Sequence, residues 1–136
     1  MKARTPVVSV VIGQPSTEKA NGVLRYCHDL DELLVSSKIY EHKFLAIKKR
    51  DFVDPFLIIP KLSLIRKINC LRNCRLILLH GSFHLIFLGV IIVCRNASIG
   101  LMPHGSFHPV ALKKNRFIKR LFLILGRPLF SCNRVK

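Results

Sequence analysis

The pentapeptide His-Gly-Ser-Phe-His occurs twice, at His80 to His84 and at His104 to His108, and each copy follows an apolar run of strand length. Leu76-Ile77-Leu78-Leu79 leads into the first copy and Ile99-Gly100-Leu101-Met102-Pro103 into the second. The interval between the copies holds one strand, one helix and their turns, which is the length of a parallel crossover unit. Two successive strands of a parallel sheet would then end in the same chemistry. Ligands of open α/β sheets bind in the crevice beyond the carboxyl ends of the strands, so both His-Gly turns are expected there.

The rest of the chain supplies the alternation such a sheet needs. Pro6 to Ile12 is a β-branched run closed by Gly13 and Pro15, which predicts a buried first strand and a loop reaching Gly22. Val23 to Leu34 places Val23, Tyr26, Cys27, Leu30, Leu33 and Leu34 at helical spacing, with the acids Asp29, Asp31 and Glu32 assigned to the solvated side. Tyr40 to Lys48 predicts a second strand, followed by a proline-bounded link from Asp51 to Pro60. Leu62 to Leu71 predicts a helix, Arg75 to Leu79 a strand, Phe83 to Val93 a nearly all-apolar crossover helix, and Ser98 to Met102 a strand. A last helix starts near Pro109, with Phe117, Ile118, Leu121, Phe122 and Leu125 at helical spacing and Gly126 and Pro128 ending or bending it. The β-α-β-α order predicts one α/β domain over residues 1–136, a Rossmann-like parallel sheet flanked by helices.

Charge is distributed unevenly along this pattern. Lys and Arg number 23 against 7 Asp and Glu, a formal charge of +16, and every acidic residue lies at or before Asp54. That balance calls for an anionic partner: a phosphate-bearing ligand, an anionic membrane surface or nucleic acid. Nucleic acid is disfavoured, because aromatic residues are few and neither a Cys-x2-Cys finger nor an RNA-binding sheet motif is present. Five cysteines, an odd number, in a chain without a secretory signal read as reduced thiols. Leu76 to Cys94 has the length of a membrane span, yet His80 and His84 would be costly in hydrocarbon. A small basic integral or peripheral membrane protein without enzymatic activity is the alternative this stretch leaves open.

The segment from Arg75 to Phe130 resembles the amino-terminal domain of family-four retaining glycosyltransferases, which have the two-domain GT-B fold. The likeness rests on His80-Gly81 after one strand, Pro103-His104-Gly105 after the next, the basic helix from Lys113 to Leu121, and Arg127-Pro128-Leu129. Asn21-Gly22 before the first helix fits less closely, because members often have a Gly-Gly pair there. The resemblance implies transfer of a sugar from a nucleotide-sugar co-substrate, without another cofactor, to a glycan or lipid-linked saccharide acceptor in lipopolysaccharide, capsule or other polysaccharide biosynthesis. It implies a cytoplasmic protein peripheral to the inner face of the membrane.

On that likeness His104 is the catalytic candidate, while Asn21, Gly22, His80, Gly81 and Gly105 are candidates for substrate binding. Lys113, Lys114, Arg116, Lys119 and Arg120 would face an anionic membrane surface, each contributing about 1 kcal/mol. The donor domain of the family, with its Glu-x7-Glu pair, has no counterpart in this sequence. The expectation is therefore a truncated chain inactive alone, a decayed gene product, or one half of an enzyme completed by a separate donor-domain polypeptide.

Other groupings carry less. Ser82 and Ser106 lack the Gly-x-Ser-x-Gly elbow of hydrolases. Cys70, Cys74, His80 and His84 have too short a gap between their pairs for a zinc finger, which needs about 12 residues there, so no metal site is assigned.

Overall fold

The computed structural model describes residues 5–12, 22–55, 57–81, 83–104, 109–113 and 115–131. Four strands, β1 (Thr5–Ile12), β2 (Tyr40–Ile47), β3 (Leu76–His80) and β4 (Ser98–Met102), form one sheet in the order β2-β1-β3-β4. Every pairing is parallel. The helices are α1 (Gly22–Ser36), α2 (Leu62–Asn69), α3 (Leu85–Val93), α4 (Pro109–Lys113) and α5 (Arg116–Phe130). The predicted fold class is the one observed: an α/β, Rossmann-like parallel sheet flanked by helices.

The register explains how one sheet carries two unlike faces. Val8 pairs with Ile77 and Val10 with Leu79, while Ile77 pairs with Ile99 and Ile12 with Ile47, so these residues share a face. That face is apolar and packs with Leu64 and Ile68 of α2, Phe87, Val90 and Ile91 of α3, and Phe122 of α5 in the main core. Val7, Ser9 and Val11 alternate to the other face, in register with His42, Leu78 and His80. Helix α1 covers this second face, touching it through Cys27 and Asp31. Right-handed crossovers account for the split: β1 connects outward to β2, whereas β2 and β3 connect in the opposite direction.

Several elements depart from the sequence expectations. Asp31 does not sit on the solvated side of α1; it shares a face with Cys27, four residues earlier, and turns toward the sheet. Leu33, assigned to the apolar face, is exposed instead. The single helix expected from Pro109 is two, separated at Asn115, whose φ of 56° is a left-handed conformation that asparagine tolerates. Helix α5 then runs through Gly126 and Pro128 to Phe130, and Gly126 is buried where a side chain would meet Leu88 and Phe130. Of the apolar residues at helical spacing in this helix, Phe122 is buried whereas Phe117 and Leu125 are exposed.

Leu76 to Cys94 is divided between β3 and α3, and α3 is apolar all round, with Ile86, Phe87, Leu88, Val90 and Ile91 buried and Ile92 exposed. Among the described residues, no helix is long and apolar enough to cross a membrane.

The link after β2 is anchored by one carboxylate. Asp51 is buried, accepts the Lys48 backbone N–H at 2.8 Å, and lies 3.6 Å from Lys67 Nζ. The Lys48 hydrogen bond, aided by the Lys67 charge, holds its carboxyl below the ordinary value of 3.8 despite burial. A depressed folded pKa contributes stability that is present above the unfolded value and lost as pH falls through the folded one. Asp51→Ala should cost about 1–3 kcal/mol at neutral pH, read as a lower urea midpoint with an unchanged slope. A variant with the wild-type midpoint would show that the anchor contributes nothing.

Candidate functional site

The carboxyl ends of β1 and β3 adjoin where the chain's connections diverge, β1 toward β2 and β3 toward β4. This is the switch point at which open α/β sheets bind ligands. His80 is the last residue of β3, one position earlier in the architecture than a turn residue, and its ring is 2% exposed. His104 follows β4 and stacks on it, with ring centroids 5.2 Å apart and planes 17° from parallel. His104 Nε2 lies 2.9 Å from His80 Nδ1. The two copies of the sequence repeat thus bring their leading histidines into direct contact.

The turn between them depends on backbone freedom. Gly81 has φ +113°, a conformation that strains any side chain, and its N–H donates to the Met102 carbonyl at 2.8 Å. This bond ties the end of β3 to the end of β4. His104 has φ 45°, left-handed for a residue with a Cβ, and such strain concentrates at functional sites.

Behind the histidine pair a line of polar groups crosses the buried second face. His80 Nε2 lies 3.0 Å from Ser9 Oγ, Ser9 Oγ lies 2.8 Å from His42 Nε2, and His42 Nδ1 lies 2.6 Å from Asp31 Oδ1. Ser9 is fully buried, as is the His42 side chain, whereas the Asp31 side chain is 40% exposed. The line therefore runs from His104 at the carboxyl edge of the sheet through the interior to a solvent-touching carboxylate. Cys27 Sγ, 3.4 Å from His80 Nδ1, joins it from α1.

Burial dominates the electrostatics. It is the first cause that pushes His80 from 6.5 down to about 4, with the charges of His104 and His42 adding to it. Burial also lowers His104 and raises the Cys27 thiol, so Cys27 stays protonated beside His80. A neutral line is self-consistent. An ionised Asp31 only accepts, so His42 carries its proton on Nδ1, Ser9 donates to His42, His80 donates from Nε2 to Ser9, and His104 donates from Nε2 to His80. The remaining nitrogen of His104, Nδ1, is then an acceptor. Tyr26 of α1 stands beside it, 41% exposed, with its ring edge-on to His104 at 5.0 Å.

The other sequence candidates are placed as follows. Gly22 opens α1, and Lys113 ends α4. Arg116 and Arg120 are exposed on α5, while Lys119 is half-buried with its ammonium 5.4 Å from the Phe83 ring centroid. Asn21, Gly105 and Lys114 lie outside the described residues, as do Ser82, Ser106 and His108. His84 precedes α3 and packs its ring on Phe87, away from the pair. Cys70 is exposed and Cys74 half-buried; among the described residues, no group of three or more His, Cys, Asp or Glu is placed to hold a metal ion.

Sequence reasoning missed Ser9, His42 and Asp31. A signal existed: Ser9 is the one polar residue in Val7 to Ile12, and Cys27 and Asp31 are four apart on one helix face. A cleft of about 790 Å³ lined by Asn69, Arg72, Asn73 and Asn96 lies at the amino-terminal ends of β3 and β4, the edge opposite the histidines. It holds no acid–base pair, whereas His104 and His80 at the opposite edge form one. Compared with known proteins, the chain matches no family model, no curated protein and no solved structure.

Proposed function

We propose that this protein is the acceptor-binding domain of a glycosyltransferase. In this reading His104 receives a hydroxyl of a glycan or lipid-linked saccharide during polysaccharide assembly, and His80 orients it from beneath. The observation that carries the reading is the His104–His80 pair at the switch-point edge of a Rossmann-like sheet. A bare imidazole nitrogen suits a sugar hydroxyl, and the half-exposed Tyr26 ring offers an apolar face with a polar tip to a pyranose. No acidic residue follows Asp54, so the carboxylates that would hold the nucleotide-sugar come from another polypeptide segment in this reading.

Titration calorimetry with mono- and oligosaccharides, set against nucleoside diphosphate sugars, tests this. Saccharide binding that His104→Gly abolishes, with weak or no nucleotide-sugar binding, is the expected result. Nucleotide-sugar binding without saccharide binding would overturn the acceptor assignment.

Helix α5 supports attachment to an anionic membrane surface. Phe117 is 78% exposed and Ile124, two turns on, 69% exposed, with exposed Arg116, Arg120 and Arg127 beside them. Lys119 contributes less, because its ammonium is engaged over Phe83. The double change Arg116→Gln and Arg120→Gln should weaken binding to phosphatidylserine vesicles about 30-fold, from about 1 kcal/mol per cation. Equal binding of the variant in a sedimentation assay would remove α5 from the membrane contact.

A further inference from the structure

We infer that His104, His80, Ser9, His42 and Asp31 form a proton relay that carries a proton accepted at His104 Nδ1 through the sheet to His42, where the Asp31 carboxylate holds it. The distances along the line, 2.9, 3.0, 2.8 and 2.6 Å, are all within hydrogen-bonding range, and each group in the interior can both give and receive one proton.

The transfer balances. A bound hydroxyl gives its proton to His104 Nδ1, and the Nε2 proton of His104 passes to His80 Nδ1. The Nε2 proton of His80 passes to Ser9 Oγ, and the Ser9 hydroxyl proton passes to His42 Nε2. One O–H bond is broken and one N–H bond gained on His42, which becomes an imidazolium paired with Asp31. The ligand oxygen keeps its electron pair for attack on the donor sugar carbon, and the leaving nucleoside diphosphate takes the pair from the broken glycosidic bond. His104 and His80 end as neutral rings of the opposite tautomer, and Ser9 ends as a neutral hydroxyl with its hydrogen bonds reversed.

The surroundings favour this over a charge held at the crevice. His80 faces Cys27 and Tyr26 from α1, His42 from β2 and His104 from the turn after β4. None of these supplies a negative charge, since the Cys27 thiol is kept protonated by burial. The first carboxylate along the line is Asp31, within hydrogen-bonding distance of His42 Nδ1 at 2.6 Å, where it can pair with an imidazolium. Asp31, His42 and Ser9 are positioning residues: they act on a ligand only through His80 and His104.

The assigned chemistry rests on the acceptor reading, but the relay itself is testable without it. Long-range proton–nitrogen NMR of the full chain reports which ring nitrogen of each histidine carries the proton. At high pH, His42 should show Nδ1–H, with Nε2–H at His80 and His104. As His42 gains its second proton, His80 and His104 should both exchange to Nδ1–H at the same midpoint.

Ser9→Ala should leave the His80 and His104 tautomers blind to the protonation of His42. Tautomers that stay fixed while His42 titrates in the wild-type chain would overturn the relay. Coupled tautomers in a chain that binds no saccharide would uphold the relay and retire the acceptor reading alone.

Discussion

Acidification from pH 6.5 to pH 4 should remove about 3 kcal/mol of folding stability through His80 alone. Its imidazole titrates near the ordinary 6.5 in the unfolded chain but only at about 4 in the folded one, chiefly because it is buried. A depressed folded pKa means that the unfolded state binds the proton first. The stability is therefore complete above pH 6.5, declines as pH falls, and is gone below about 4. At 1.36 kcal/mol per unit, a difference of about 2.5 units gives the figure of about 3 kcal/mol.

Urea unfolding across this pH range measures the slope directly. His80→Leu should lower stability at pH 7, because Ser9 and His104 lose a partner, yet it should flatten the slope between pH 6.5 and 4. An unchanged slope in the variant would place the proton uptake elsewhere. Asp51 acts in a separate window, at and below its ordinary 3.8, so the two acid limbs are distinguishable.

Replacing His104 should lower turnover by about 10²–10⁴-fold in a transferase that contains this domain, the usual contribution of a positioned acid–base group. In the proposed relay the ring accepts from the hydroxyl at Nδ1 and hands its other proton to His80, 2.9 Å away, and alanine can do neither. Folding should change little, because His104 is only half-buried and lies outside the main core. Alanine would keep the backbone strain at φ 45°, whereas His104→Gly relieves it. The glycine variant should therefore show the same loss of turnover in a chain at least as stable. Turnover within a few-fold of wild type in both variants would remove His104 from the chemistry.

Much of the architecture was legible because burial on both faces writes long apolar runs. Val7 to Ile12, Leu76 to Leu79 and Ile99 to Met102 are such runs, and the turns that follow β3 and β4 carry the repeated pentapeptide. His80 and His104 were legible for the same reason. The relay behind them was not, because a parallel sheet brings together residues far apart in sequence: Ser9 meets His80 at a separation of 71. Hydropathy also hides it. Asp31 reads as a solvated helix acid until His42, on the neighbouring strand, supplies the proton it accepts. The break at Asn115 escaped periodicity, since one left-handed residue leaves the spacing of Phe117, Leu121 and Phe122 intact.

In the proposed function the histidine pair receives an acceptor hydroxyl. A crystal structure of the chain with the tightest-binding saccharide tests it most directly. A sugar hydroxyl is expected about 3 Å from His104 Nδ1, beyond the carboxyl ends of β1 and β3 and against the Tyr26 ring. A saccharide seated elsewhere, with His104 Nδ1 facing water, would contradict it.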